Sequence, residues 1–210
     1  LDAGTGTGDL ARPLARLFDR VDAIDPSAAM VDAGRSAPGG DATNLRWIVG
    51  SAETAPLAPP YGLVVAGQSL AWMEWSIVLP RFGAASSARA HVAIVERTWD
   101  DAPWRGALKA VIARWSTNRE FRPYDVVEEV TRRGLFRTLG SRTLLGAHVD
   151  MTPDRFLDAL HSQNGLARSA LGPDRSAAFD AEVRTAVSPF QRGGRLPVPA
   201  GASVTWGVAT

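Results

Sequence analysis

Three glycines at alternate positions, in the opening LDAGTGTGDL, constrain this chain more than any other feature. They follow a short apolar stretch, Leu1 to Ala3, that reads as the end of a buried strand. After them Leu10, Leu14, Leu17 and Phe18 recur at helical spacing, which predicts an amphipathic helix over Asp9 to Phe18. Pro13 falls inside that helix, where its missing amide removes a bond or kinks the first turn. Glycine serves where a backbone must take positive φ or lie close against a ligand. The first amides of the following helix can then face a negative or polar group. Strand, glycine turn and helix in that order begin an α/β unit.

The pattern continues. Val21 to Ile24 is a short apolar strand that ends at Asp25, and a helix is expected from Ser27 to Arg35. Leu45 to Val49, Leu63 to Ala66 and His91 to Val95 read as further strands. Strands alternating with helices over the first 95 or so residues imply a parallel, doubly wound sheet. The second half differs. Trp104 to Trp115 and Tyr124 to Arg133 have helical patterning, and Phe136 to Val149 is strand-like with a glycine interruption. MTPDRFLDAL begins a helix with Thr152 as N-cap and Pro153 in the first helical position. PDRSAAFDAEVRTAV is another helix, RGGRLPVPAG a loop, and ASVTWGVAT an alternating, half-buried final strand. The expected organisation is a single domain over residues 1–210. Residues 1–97 form its first half, 98–150 and 195–210 the remaining sheet and helices, and a helical pair at 152–188 is inserted before the last strand.

Asp25 lies 17 residues after Gly8. A carboxylate at the end of the second strand can accept bonds from both hydroxyls of a ribose. A dinucleotide fingerprint needs a third small residue at position 9, but position 9 is Asp, whose charge would repel a pyrophosphate. An adenosyl ligand without phosphate meets no such conflict. A nucleotide-dependent oxidoreductase is therefore the disfavoured alternative.

Taken together, these segments resemble the class I S-adenosylmethionine-dependent methyltransferases. LDAGTGTGDLARPLA is similar to that family's first motif and VDAIDPSAAM to its second. IVGSAETAPL resembles the adenine-binding loop after the third strand, and YGLVVAGQSLAWMEW the fourth strand with its substrate-facing continuation. Four motifs thus fall in order within residues 1–97. Further on, FLDALHSQNGLARSALGP and VTWG resemble the cap and final strand of the small-molecule branch, of the trans-aconitate and ubiquinone-biosynthesis type. The resemblance implies a Rossmann-like three-layer sandwich: a mainly parallel seven-stranded sheet, an antiparallel last strand and a helical cap insertion. The cofactor it implies is S-adenosyl-L-methionine. Asp2 with Gly4, Thr5, Gly6 and Gly8 would hold the cofactor's amino-acid part, and Asp25 its ribose. Pro26 and Met30 would line the adenine. Ser51 stands where the family often has an aspartate, Ala52 could offer its amide to the ring, and Glu53 follows. Ala66, Gly67 and Gln68 would lie beside the ligand at the end of the fourth strand. Many relatives have a helix and most of a strand before the glycine loop, so the chain also reads as short at its N-terminus.

Catalytic residues are harder to place. Small-molecule relatives often carry a His where this chain has Ala71, so no base is expected there. Of the three histidines, His91 and His148 sit in strand-like stretches and read as structural, whereas His161 is a candidate for touching substrate beside Gln163. Trp72 and Trp99 are expected to line an aromatic substrate pocket, with Trp75 and Trp104 left to core packing. Arg168, Glu74 and Asp100 read as solvated. The chain has 23 basic and 22 acidic residues, which gives no basic excess for nucleic acid. It has no cysteine, hence no disulfide or thiolate metal site, and no metal is expected. No apolar run approaches the roughly 18 residues of a membrane span. The expectation is a soluble, cytoplasmic enzyme that methylates a small molecule, with neither nucleic acid nor membrane as partner. The alternative is a methyltransferase-like module, truncated or non-catalytic.

Overall fold

The computed structural model describes residues 1–98, 102–118, 124–144, 148–162, 165–199 and 201–210. Its elements run β1 (Asp2–Ala3), α1 (Ala11–Leu14), β2 (Val21–Asp25), α2 (Ala28–Ser36), β3 (Leu45–Val49), β4 (Tyr61–Gly67), α3 (Trp75–Ala85) and β5 (Ser86–Thr98). There follow α4 (Arg105–Trp115), α5 (Val126–Arg132), β6 (Phe136–Leu144), β7 (His148–Met151), α6 (Pro153–His161), α7 (Arg168–Leu171), α8 (Pro173–Val187), β8 (Leu196–Pro199) and β9 (Gly201–Ala209). Seven strands form one sheet in the order β3-β2-β1-β4-β5-β9-β6, parallel except for one antiparallel strand.

Two compact units are present. The first comprises Leu1–Glu96, Tyr124–Thr143 and Ser203–Thr210. β2 is buried along its whole length, as a parallel strand covered on both faces must be. Alternation sorts its side chains: Val21 and Ala23 pack with Ala11, Val31 and Trp47, while Ile24 joins Val64, Ala66, Val92 and Ile94 under Val78, Leu79 and Phe82 of α3 and Val130 of α5. These are the three layers of the expected sandwich. The order reverses between β1 and β4, the switch point at whose carboxyl-end crevice open α/β sheets bind ligands.

Several local expectations are corrected. α1 has four residues rather than ten, because Pro13 lacks an amide and Arg16 and Leu17 turn back on the carbonyls three residues earlier. Leu17 is left 76 % exposed. Asn44 then closes this segment by donating to Ala15 and Phe18 carbonyls. α3 is unmarked in the sequence pattern, where Pro80 interrupts it. The stretch 136–149 is two strands in two different sheets, and the loop expected at 192–201 contains β8.

The second unit is Arg97–Pro123 with Leu144–Ala202. It holds a two-stranded antiparallel sheet of β7 and β8 with Met151 opposite Leu196. Its core joins Trp104, Leu108, Phe156, Leu160, Phe179 and Val183. Residues 152–188 form three helices, not a pair. Thr152 caps α6 as expected, its hydroxyl accepting from the Arg155 amide. Among the described residues no helix is long and apolar enough to cross a membrane, and no cluster of three or more His, Asp or Glu could hold a metal ion.

Candidate functional site

The glycine loop adopts the conformation that its spacing predicts. Gly4, Gly6 and Gly8 have φ of +68°, +55° and +78°, a region that L residues with side chains enter only at a cost. A Cβ on Gly8 would also lie 2.4 Å from Trp47 Cη2, so the indole packs directly under the loop. On Gly6 a Cβ would meet no protein atom within 4 Å. The middle of the loop faces outward while its flanks are packed against protein.

Two carboxylates hold this shape. Asp2 is 1 % exposed and its Oδ2 accepts the Thr5 hydroxyl at 2.6 Å. Burial pushes its pKa up to about 6, against the opposing hydrogen bonds from Thr5 and the Ala11 amide. Asp2 thus braces the loop from beneath, and its carboxylate is engaged with protein rather than open to a ligand. Asp25, at the end of β2, accepts the Gly6 amide on Oδ2 and the Ser27 amide on Oδ1, both at 2.8 Å. Each carboxylate oxygen has a second lone pair, so these bonds leave acceptor capacity beside the outward-facing Gly6. Ser27 in turn caps α2 by accepting from the Met30 amide.

The remaining expected cofactor residues fall on the same carboxyl-end rim of unit 1. Pro26 and Met30 are exposed beside Asp25, Met30 to 49 %. Ser51 shares a hydrogen bond with the Thr54 hydroxyl. The Ala52 side chain packs in the core. Glu53 faces elsewhere than expected, since its Oε1 accepts the Glu74 amide at 2.9 Å and anchors the start of α3. Burial raises its pKa, but the hydrogen bonds from Glu74, its own amide and Ser51 outweigh that and leave it lowered. Ala66 is wholly buried in β4. Gly67 abuts Leu10, whose Cδ1 would lie 2.5 Å from a Cβ there.

Beyond Gly67 the chain turns sharply. Gln68 has φ of +54°, a left-handed conformation costing a side-chain-bearing residue about 1 kcal/mol. Such outliers concentrate at functional sites. Its amide donates to Val95 O at 2.9 Å, and its side-chain Nε2 donates to Glu96 Oε2. Burial and the nearby Asp125 carboxylate raise the Glu96 pKa despite that bond. Ser69 then fastens this turn to the glycine loop by donating to Ala3 O at 2.7 Å. Trp72 follows, 69 % exposed, and Met73 Cε would lie 3.2 Å from a Cβ on Gly4.

Other candidates are engaged by protein groups or packed in a core. His161 is 8 % exposed in the second unit. Its Nδ1 is 2.6 Å from Leu166 O and its Nε2 is 2.6 Å from Asp180 Oδ1, so neither nitrogen is open to a substrate. Arg168 pairs with Asp158 and Asp180. Trp75 and Trp104 are buried packing residues. Trp99, Asp100 and Gln163 lie outside the described residues. A cavity lined by Leu1, Leu14, Phe18, Tyr61 and Leu63 opens at the amino ends of β1, β2 and β4, away from the loop. Sequence reasoning missed Trp47, Ser69 and Glu96. The signal for Glu96 was available: it is the polar residue that ends the apolar run HVAIV.

Residues 1–86 match the family model described as a methyltransferase domain. Over this stretch the chain is similar to methyltransferase domains. Its cofactor is S-adenosylmethionine. Among solved structures, the chain is similar to a protein assigned as a type II methyltransferase from Anaeromyxobacter dehalogenans. The two share 22 % identity over 98 % of this chain and 86 % of that one, with a TM-score of 0.64. It is also similar to a protein assigned as a methyltransferase from Bacillus halodurans, at 11 % identity over 98 % and 90 % of the chains and a TM-score of 0.61. A third, assigned as a sarcosine dimethylglycine methyltransferase from Galdieria sulphuraria, shows 16 % identity over 99 % and 77 %, with a TM-score of 0.55. At such identities the likeness is one of fold. No curated protein matches the chain in sequence.

The methyltransferase's rim suits that cofactor. The outward Gly6 backbone gives room for close approach, and Asp25 gives an anionic acceptor at the end of β2. Asp9 keeps a carboxylate beside the loop, paired with Arg12 at 2.7 Å.

Proposed function

We propose that this enzyme transfers the methyl group of S-adenosylmethionine to a small organic acceptor, as members of the small-molecule branch do. The observation that carries this reading is Trp72. A 69 % exposed indole stands three residues after Ser69, which pins its turn to the glycine loop. Flat aromatic surface offers a small organic molecule apolar contact at the place where loops carry function. The near balance of charge, +1 overall, supports a small acceptor over a polyanion.

When bound, the cofactor supplies an activated sulfonium methyl that a nucleophile attacks in line. The chain's work is then positioning, which can account for most of the acceleration. In this reading the Gly4–Gly8 loop receives the amino-acid part of the cofactor, with Asp2 and Thr5 setting the loop's shape from below. Asp25 takes the ribose hydroxyls on the lone pairs that its two amide bonds leave. Pro26 and Met30 flank the adenine with Ser51 and the Ala52 amide, and Glu53 acts through α3. Ala66, Gly67 and Gln68 form the wall toward the acceptor.

The test is methyl transfer from S-adenosylmethionine labelled in its methyl group into fractionated cell extract. Label is expected in the fraction below about 1 kDa, and its yield should fall at least tenfold in Trp72→Ala. Label confined to protein or nucleic acid would overturn the small-acceptor reading.

A further inference from the structure

Glu96 is a carboxylate at the functional end of the sheet for which the cofactor-binding account has no use. β4 and β5 run parallel with Gly67 opposite Val95, so Gln68, the first residue past β4, comes beside Glu96 near the end of β5. The backbone bond from Gln68 N to Val95 O fixes that register one residue further, at 2.9 Å. The side-chain bond from Gln68 to Glu96 then sets where the carboxylate points. A left-handed Gln68 is what brings its amide there.

The placement along the sheet completes the argument. β1, which leads into the glycine loop, is flanked by β2 and β4, and β5 lies beyond β4. Asp25 ends β2 and Glu96 closes the apolar run of β5, so the two carboxylates stand on opposite sides of the β1/β4 switch point. Neighbouring strands are about 4.8 Å apart, which puts Glu96 about 10 Å across the sheet from the loop's own strand. A donor whose ribose is held at Asp25 extends its other end toward β4. Glu96 would be on the far side of that end, where an acceptor approaches. Burial and the Asp125 carboxylate raise the pKa of Glu96 despite the Gln68 bond.

We infer that Glu96, oriented by the positioning residue Gln68, is the acceptor-side carboxylate of the site and faces the methyl-bearing centre of the donor. This rests on the proposed cofactor role of the rim. It predicts acceptors that present an O–H or N–H to that carboxylate, rather than acceptors without a hydrogen to donate.

The inference can be tested without knowing the acceptor. Sinefungin carries an amine-bearing carbon where the donor has its methyl-bearing sulfonium, while S-adenosylhomocysteine has a neutral thioether there. A charged hydrogen bond to the amine should make wild-type enzyme bind sinefungin about tenfold more tightly than S-adenosylhomocysteine. In Glu96→Gln that preference should fall to about twofold or less, with S-adenosylhomocysteine affinity unchanged. Gln68→Leu should lower it partway. Equal affinities in the wild type would overturn the inference, and this arm needs no variant to fold. So would an unchanged preference in a folded Glu96→Gln, or an equal loss of both ligands. Failure of S-adenosylhomocysteine to bind the wild type would sink the cofactor reading itself, and the inference with it. That outcome is recognised from the one titration alone.

Discussion

Asp2 shows how much a single residue can do beneath a binding loop. Its folded pKa, about 6, lies above its ordinary value of 3.8, so the folded chain holds that proton more tightly than the unfolded one does. The stability this confers is complete below about pH 4 and is lost as pH rises through about 6. A shift of that size corresponds to about 3 kcal/mol. Asp2→Asn keeps an acceptor for Thr5 and removes the buried charge. Its melting temperature should therefore change less than the wild type's between pH 4 and 6; parallel curves for the two proteins would assign the pH dependence elsewhere. Gly8 is constrained in another way. Gly8→Ala combines a left-handed φ with a Cβ 2.4 Å from Trp47, and should cost about 2–3 kcal/mol in urea unfolding. A loss below about 0.5 kcal/mol would mean the loop can relax away from the indole.

At the scale of elements, the pattern was legible where period and punctuation agreed. Leu45–Val49 matches its strand, and Thr152 is the N-cap that its position before PDRFLDAL announces. Replacing the Thr152 hydroxyl, in Thr152→Ala, should cost about 1 kcal/mol by thermal unfolding. Legibility failed where proline or tertiary pairing intervened. Pro80 hides α3, although Phe82 of that helix is wholly buried in the first unit's core. Phe82→Ala is expected to lose about 3–5 kcal/mol, and a loss under about 1 kcal/mol would show that the core can refill the space. The stretch 136–149 reads as strand-like with a glycine interruption, and pairing partners split it, β7 with β8 and β6 with the large sheet. No local signal carries that information. Glu53 and His161 teach the same lesson: the family resemblance placed the first near the cofactor and residue type placed the second near substrate, but hydrogen bonds to Glu74 and to Leu166 and Asp180 engage them.

For the whole molecule, the order β3-β2-β1-β4-β5-β9-β6 gathers the loop, Asp25 and Gln68 at one end of one sheet, and the proposed cofactor site lies across β1 and β4 there. The measurement that tests this most directly is calorimetric titration of S-adenosylhomocysteine into the wild type and Asp25→Ala. The account predicts micromolar affinity, about −8 kcal/mol, in the wild type and at least a tenfold loss in a folded Asp25→Ala. A folded wild type that binds nothing, or a variant that binds equally well, would contradict it.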